Sequence, residues 1–228
     1  MSGETSGTPE AVDGAGKRRR RGRPARISRE LITCAARELA PEALTMQAVA
    51  DVLGVDPKAL NYHVGDREGL RELVALDVFE TELARVTLPV GRDWQAVVRS
   101  YAMALRDAVV RLGPLATSIR LPGDNGLGTL RPVECVLRAL VGAGFSTDDA
   151  GRGLTLITDT AFSAGLSAVR AAKDPVHPDV PGVISALQAA GEEELPLLRE
   201  VVAGGPAGDQ LEFALTVLLV GLEELRSR

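Results

Sequence analysis

The chain has 228 residues, of which 45% are hydrophobic and 25% charged, and it carries a formal net charge of −5. This composition provides ample material for a core, and the length suits one small module plus one domain of ordinary size. The longest apolar stretch, 215–222, is far shorter than the ~18 to 20 residues of a membrane span, and the N-terminus lacks the order of a signal peptide, so we expect a cytoplasmic protein without a membrane partner.

The charge is distributed unevenly along the chain. Residues 17–70 contain eleven Lys/Arg against seven Asp/Glu, and eight of these cations lie between Lys17 and Arg29. Residues 1–16 carry −3, and the chain after residue 70 carries −6. A basic N-terminal segment on an otherwise acidic protein indicates local contact with a polyanion, although a solvated charge run without function has the same composition.

The N-terminal part of the chain predicts a tail, a basic arm and then short helices. Residues 1–16 are rich in small and polar residues and have almost nothing to bury, so we expect a disordered tail before the arm at 17–27. From Ser28 onward, apolar residues recur at helical spacing. The first helix is predicted to begin after the cap residue Ser28, and the second to begin after Thr45 and to end at Gly54. The third helix is predicted to begin at Asp56-Pro57, and the fourth to run from Asp66 to about Val86.

Longer helical patterns follow a linker at 87–93. The predicted helices span 94–112, 127–142, 147–172 and 208–226, with two shorter ones at 183–190 and 192–202. The sequence contains neither a convincing alternating β run nor an internal repeat. The chain is therefore predicted to be all-α.

The second and third helices form a helix-turn-helix pattern around Gly54. Apolar side chains can hold this pair against the first helix at a fixed angle, namely those of Ala48, Val49, Val52, Val55 and Leu60. Lys58, Asn61 and Tyr62, together with the first backbone amides of the third helix, then face outward. Such a surface is typical of a helix that enters the major groove of DNA.

The stretch ALTMQAVADVLGVDPKALNYHVGDREGL resembles the DNA-binding module of the tetracycline-repressor (TetR) family. The family pattern is carried by Leu44-Thr45, 50–55 and 60–64, followed by the charged start of the fourth helix at Asp66-Arg67-Glu68, and the resemblance covers about residues 23–75. Gln47 stands where arginine is frequent, and Asn61 stands where the first tyrosine is usual.

The resemblance implies a ligand-responsive regulator, a repressor in the family's manner. It is expected to bind a palindromic operator in double-stranded DNA as a homodimer and to be released by a small-molecule effector of unknown identity. It implies a helix-turn-helix DNA-binding domain at 28–75 and a larger helical ligand-binding and dimerisation domain at 76–228. The dimer is expected to form through 147–172 and 208–226, which are long and rich in small and apolar residues. The residues implied to contact DNA are Thr45, Gln47, Lys58, Asn61, Tyr62, His63 and Arg67.

The basic arm contains Arg21-Gly22-Arg23-Pro24, which resembles the core of an AT-hook. Glycine permits close approach to the minor-groove floor, and the guanidinium groups of Arg21 and Arg23 can reach along a narrow A·T-rich groove. We therefore expect these two arginines to contact DNA by groove insertion. A nonspecific phosphate-binding tail is the alternative.

The resemblance also implies a ligand pocket lined by helices of the larger domain. The candidate ligand-binding residues on or just outside them are Met103, Leu105, Arg120, Phe145, Thr158 and Phe162. Aromatic residues make up only 3% of the chain. A pocket walled mainly by Leu, Val and Ala favours an apolar or amphipathic ligand over a flat cation that needs an aromatic cage.

The sequence offers little support for catalysis or for a cofactor. Two histidines and two cysteines without partners at ligand spacing argue against a metal site, and Cys34 and Cys135 are expected to be free thiols. Phosphate-loop, dinucleotide and nucleophile-elbow motifs are absent from the sequence. Besides a ligand-responsive repressor, two other classes remain: a constitutive architectural DNA-binding protein without a ligand, and a helical small-molecule-binding or enzymatic domain with an incidental N-terminal module.

Overall fold

The computed structural model describes residues 27–89, 91, 93–120, 127–191, 193–205 and 208–227. The predicted disordered tail and nearly all of the basic arm, including Arg21 and Arg23, lie outside the described residues. The described ranges form ten α-helices and contain no strand, which confirms the all-α prediction. None of these helices is long and apolar enough to cross a membrane.

The helices are numbered in chain order, with short 3₁₀ turns at Pro41–Ala43 and Gly113–Ser118. Their bounds are α1 (Arg29–Ala36), α2 (Met46–Leu53), α3 (Pro57–Val64), α4 (Arg67–Ala84), α5 (Trp94–Leu112), α6 (Leu127–Gly142), α7 (Thr147–Lys173), α8 (Val180–Ala189), α9 (Pro196–Gly204) and α10 (Gln210–Arg226). We call α1–α3 the head and α4–α10 the body.

The caps predicted for the head are present. The side chains of Ser28 and Thr45 accept hydrogen bonds from the amides of Leu31 (3.3 Å) and Ala48 (3.1 Å), and the Asp56 carboxylate accepts one from the amide of Lys58 (2.8 Å). Gly54 ends α2 with a φ of 67°, which favours glycine. These local bonds define both sides of the helix-turn-helix.

Two predicted helix starts in the body were wrong. The helix predicted at 183–190 begins at Val180, because Pro181 fits in the first turn, where its missing amide leaves no bond unmade. The helix predicted at 192–202 begins at Pro196, directly after Leu195, whose φ of 56° interrupts helical geometry. Proline at the first helical position therefore decides where α9 starts.

The head is a small helical layer with its own buried contacts. Ile32, Val49 and Leu60 are fully buried in it. Val52, which was expected to be buried with them, is 41% exposed, because the α1 contact covers only the side of α2 that carries Val49 and Ala50. Cys34 is likewise exposed, on the outer side of α1.

The body is organised around the packing of α5 on α7. α6 and α10 pack on α7 as well, and α4 packs on both α5 and α6. The Trp94 ring meets the Phe145 ring edge to face, with ring centres 5.1 Å apart. α4 also contacts α1 and α3, so that it belongs to the cores of both head and body.

The crossing of α5 and α7 depends on Gly165. A Cβ at this position would lie 2.6 Å from Val109 Cβ and 3.0 Å from the Arg106 carbonyl oxygen, both of which are fixed to the α5 backbone. We therefore expect Gly165→Ala to lower the free energy of unfolding by about 1–3 kcal/mol through overpacking.

The matched control is Gly182→Ala on α8, where a new Cβ would meet no heavy atom within 4 Å. That variant should be neutral or slightly stabilising, because alanine has the higher helix propensity. Urea unfolding followed by circular dichroism measures both. Equal stability of the two variants would contradict the close crossing.

Candidate functional site

The outer face of α3 carries three exposed polar or aromatic side chains. Lys58, Asn61 and Tyr62 are all exposed, and Tyr62 is 90% exposed, whereas Leu60 on the opposite side is fully buried. Positions 58, 61 and 62 are three and four residues apart and therefore share one face of the helix. The structure brings these three predicted DNA-contacting residues together as the sequence indicates.

The first backbone amides of α3, which were expected to face outward as donors, are already used. The amide of Lys58 donates to the Asp56 side chain at 2.8 Å, and the amide of Ala59 donates to the Asp56 carbonyl oxygen at 2.9 Å. Pro57 has no amide hydrogen to offer. Side chains, rather than backbone amides, therefore provide the hydrogen-bonding capacity of this surface.

Other predicted DNA-contacting residues have partners within the head. Thr45 caps α2 as described above, and the Gln47 amide nitrogen donates to the Asp51 carboxylate at 2.7 Å. The His63 ring lies edge to face against Tyr62, with ring centres 5.3 Å apart, and the His63 carbonyl oxygen accepts a bond from Arg29 Nε at 3.2 Å. Arg67 is exposed at the start of α4. Of the whole set, Thr45 and His63 are half-buried and the other five residues are exposed.

The candidate ligand-binding residues divide into two locations. Leu105 and Phe145 are buried in the body, and Met103 and Phe162 are half-buried against its core. Thr158 lies 3.4 Å from the hydroxyl oxygen of Tyr101, and burial raises the pKa of Tyr101 while the hydrogen bond with Thr158 partly offsets that rise. Arg120 lies elsewhere: it is exposed and lines a groove beside α4.

This groove separates the head from the body and has a volume of about 520 Å³. Its walls combine charged and apolar side chains from α1, the end of α3, α4 and the segment after the 3₁₀ turn at 113–118. The lining residues are Arg29, Glu30, Thr33, His63, Val64, Gly69, Glu72, Leu73, Leu76, Asp77, Glu80 and Arg120.

Arg71 makes long-range contacts that the sequence did not reveal. Its guanidinium donates to the Pro114 carbonyl oxygen at 3.1 Å and to the Ser118 hydroxyl at 3.3 Å. These partners lie 43 and 47 residues further along the chain, so no local motif could have indicated them. Arg71 ties the start of α4, next to the head, to the turn that follows α5.

Comparisons with known proteins identify relatives of this architecture. Residues 89–226, more than half of the chain, match the family model described as "Tetracyclin repressor-like, C-terminal domain". The tetracycline repressor protein class D of Escherichia coli is 27% identical over 185 residues, which cover 78% of this chain and 79% of that protein.

Solved structures share the fold at lower identity. ActR from Streptomyces coelicolor, in complex with actinorhodin, is 21% identical with a TM-score of 0.69, over 90% of this chain and 100% of that one. A single-residue variant of TetR from Acinetobacter baumannii AYE, in complex with minocycline, is 20% identical with a TM-score of 0.61, over 89% of this chain and 100% of that one.

The contacts of Arg71 predict that replacing this residue lowers the stability of the protein. The Arg71→Met variant removes the donor to the Ser118 hydroxyl and to the Pro114 carbonyl oxygen. Ser118 is only 3% exposed, so water cannot easily replace that donor. We expect the free energy of unfolding to fall by about 1–2 kcal/mol.

Arg67→Met, one turn earlier on the same helix, removes an exposed arginine and should change stability by less than about 0.5 kcal/mol. Urea unfolding of both variants provides the measurement. A loss of similar size in the two variants would assign the effect to charge or helix propensity instead of the Arg71 contacts.

Proposed function

The chain belongs to the tetracycline-repressor (TetR) family, and we propose that it is a ligand-responsive transcriptional repressor that binds a palindromic operator as a homodimer. A small-molecule effector releases it from the DNA. The observation that carries the proposal is the exposed face of α3, with Lys58, Asn61 and Tyr62 projecting away from the fully buried Leu60. Relatives that bind minocycline and actinorhodin support the effector.

In the proposed complex α3 enters the major groove. Lys58 and Asn61 contact base edges or phosphate, while Tyr62, His63 and Arg67 contact the DNA backbone. Thr45 and Gln47 contact phosphate at the start of α2, and Gln47 does so by exchanging its bond with Asp51. The division into a DNA-binding domain at 28–75 and a ligand-binding and dimerisation domain at 76–228 follows from the same assignment.

The basic arm acts beside this surface. Arg21 and Arg23 insert into the minor groove that flanks each half-site, where a narrow A·T-rich groove concentrates negative potential. The described chain begins at Ile27, two residues before α1, so the arm joins the protein directly at the head. Its cations add a salt-dependent contribution to affinity.

The proposed dimer forms through α7 and α10. α10 exposes Phe213 (67%), Val217 (55%) and Val220 (67%) on one face, while the opposite face buries leucines against α7. On α7, Leu156 is 49% exposed. An apolar stripe at this spacing on a surface helix is typical of a helix–helix interface between subunits.

The effector site is proposed among Met103, Leu105, Phe145, Thr158 and Phe162. The Tyr101–Thr158 pair supplies polar groups within surroundings that are otherwise apolar, which suits an amphipathic ligand. Ligand-dependent changes in α5 can reach the head through α4, because α4 packs on α5 and also on α1 and α3.

The dimer assignment predicts the effect of a charge in the apolar stripe. Val217→Glu should produce a monomer at micromolar concentration, because a carboxylate buried in the interface without a partner is costly. The matched control is Val176→Glu, since Val176 is 51% exposed in the segment after α7; it should remain dimeric. Sedimentation velocity measures both, and a dimeric Val217→Glu variant would place the interface elsewhere.

The operator assignment predicts the effect of losing the α3 side chains. An operator is first isolated by selection from random DNA. Lys58→Ala and Tyr62→Ala should then weaken its binding without changing the fold or the dimer. A lost phosphate contact lowers the salt slope by about 0.9, and a lost base contact costs about 1–3 kcal/mol and relaxes one operator position.

Fluorescence anisotropy at several salt concentrations provides the measurement, with Lys173→Ala at the exposed end of α7 as the matched control. Unchanged affinity in both α3 variants would mean that another face meets the DNA. Failure of the selection to enrich any sequence would instead support the constitutive architectural protein.

A further inference from the structure

The groove between head and body has an apolar floor that ends at a carboxylate. Leu73, Leu76 and Glu80 lie on α4 at spacings that place them on one face. At the head end, Val64 of α3 completes the apolar wall. Leu73 and Glu80 are seven positions apart on the helix, which corresponds to about 10 Å along the axis. The groove is therefore elongated along α4, with its charge at the body end.

Glu80 lacks a partner among the described residues. Its Oε1 atom is shielded from solvent and accepts no hydrogen bond. The side chain lies against the backbone of α6, where a Cβ on Gly128 would be 3.4 Å from Glu80 Cδ. Burial raises the pKa of Glu80, and the nearby charge of Asp77 raises it further. Because Glu80 as a whole is only half-buried and lines the groove, its second carboxylate oxygen is the one that a cation in the groove would meet, and such a contact would offset the cost of a half-buried carboxylate without a donor.

Most other charged residues of the groove have partners, and Glu30, at its head end, is exposed to solvent with its pKa lowered by a hydrogen bond with the Ser28 side chain. Asp77 pairs with Arg37 at 2.8 Å, and Arg29 donates to the His63 carbonyl oxygen. Arg120 donates to the carbonyl oxygens of Thr117 and Ile119 and lies 3.9 Å from Glu72. Glu80 is distinguished from the other groove carboxylates by its half-buried position and its oxygen without a hydrogen-bond partner.

The chemistry of the groove favours an organic cation over a metal ion. Within the described ranges, no three His, Cys, Asp or Glu side chains converge as a metal-binding group. The apolar side chains of Leu73, Leu76 and Val64 instead suit a hydrocarbon chain next to the charge. An aromatic cage is unnecessary, because the carboxylate itself supplies the attraction for an ammonium group.

We propose that this groove binds an aliphatic amine, with the ammonium group on the Glu80 carboxylate and the hydrocarbon chain across Leu76 and Leu73 to Val64. The site is separate from the buried residues proposed for the effector. Because Val64 belongs to the head and Glu80 to the body, an occupied groove fixes one against the other. The resulting change in operator affinity rests on the proposed function, whereas the binding itself does not.

The test compares three probes of equal chain length on the full chain without DNA. Octylamine, 1-octanol and octanoate carry a positive, a neutral and a negative head group on the same hydrocarbon. Isothermal titration calorimetry at pH 7 should give the tightest binding for octylamine, with 1-octanol about tenfold weaker, the loss expected for one charge-assisted hydrogen bond. Equal affinities for octylamine and 1-octanol would overturn the proposal.

Variants then locate the binding. Glu80→Gln keeps the shape of the side chain and should weaken octylamine about tenfold while leaving 1-octanol unchanged. Arg120→Gln removes a repelling cation from the groove and should strengthen octylamine binding. Glu134→Gln, an exposed α6 residue paired with Arg138, is the control and should bind like wild type. Circular dichroism checks the fold of each variant.

The experiments test amine binding at Glu80 and its effect on operator affinity independently. If Glu80→Gln binds octylamine as tightly as wild type, the amine lies elsewhere and the proposal is wrong. If octylamine binds at Glu80 and operator affinity does not change, the site stands and its link to DNA binding is overturned. A protein that binds no operator at all would contradict the proposed function while leaving the calorimetric result intact.

Discussion

The structure depends on the burial of α4 on two sides at once. Leu70 and Val74 are buried in its N-terminal half, and Phe79 and Leu83 are buried in its C-terminal half. The helix packs on α1 and α3 of the head and on α5 and α6 of the body. Because close-packed helices shift as units instead of deforming gradually, a movement of α5 or α6 displaces α4, and α4 carries the head with it.

Polar contacts along α4 strengthen this connection at specific points. Arg37 of the head segment bonds the carboxylate of Asp77 and the hydroxyl of Thr81, and Arg71 bonds the turn after α5. The exposed ion pair contributes little free energy by itself, and it joins the end of α1 to α4. Glu80 is the exception among these groups, since its shielded oxygen has no partner in the described part of the chain. The groove beside it is where the contact between head and body can be altered by a bound molecule.

This arrangement explains how one chain can serve DNA and small molecules together. For α3 to present its exposed face to DNA, the head must hold α3 in a fixed position. The caps at Thr45 and Asp56 and the burial of Leu60 stabilise that position. In the proposed dimer, the body would decide the spacing of the two heads through α7, α10 and α4. A ligand therefore needs no contact with DNA to change affinity, provided that it has a different affinity for the two positions of α4.

Features that depend on neighbouring residues could be predicted from the amino-acid sequence. Ser28, Thr45 and Asp56 cap helices through bonds to amides two or three residues away, and the spacing of Leu60 against Lys58, Asn61 and Tyr62 determined which side of α3 is exposed. Features that depend on how the helices cross became apparent only in the folded structure. In that structure Val52 is exposed, Arg71 bonds Pro114 and Ser118, and an oxygen of Glu80 has no donor beside the groove. Local hydrogen bonds close within one helical turn, whereas the surroundings of Val52, Arg71 and Glu80 are formed by separate elements whose crossing angles no short pattern encodes.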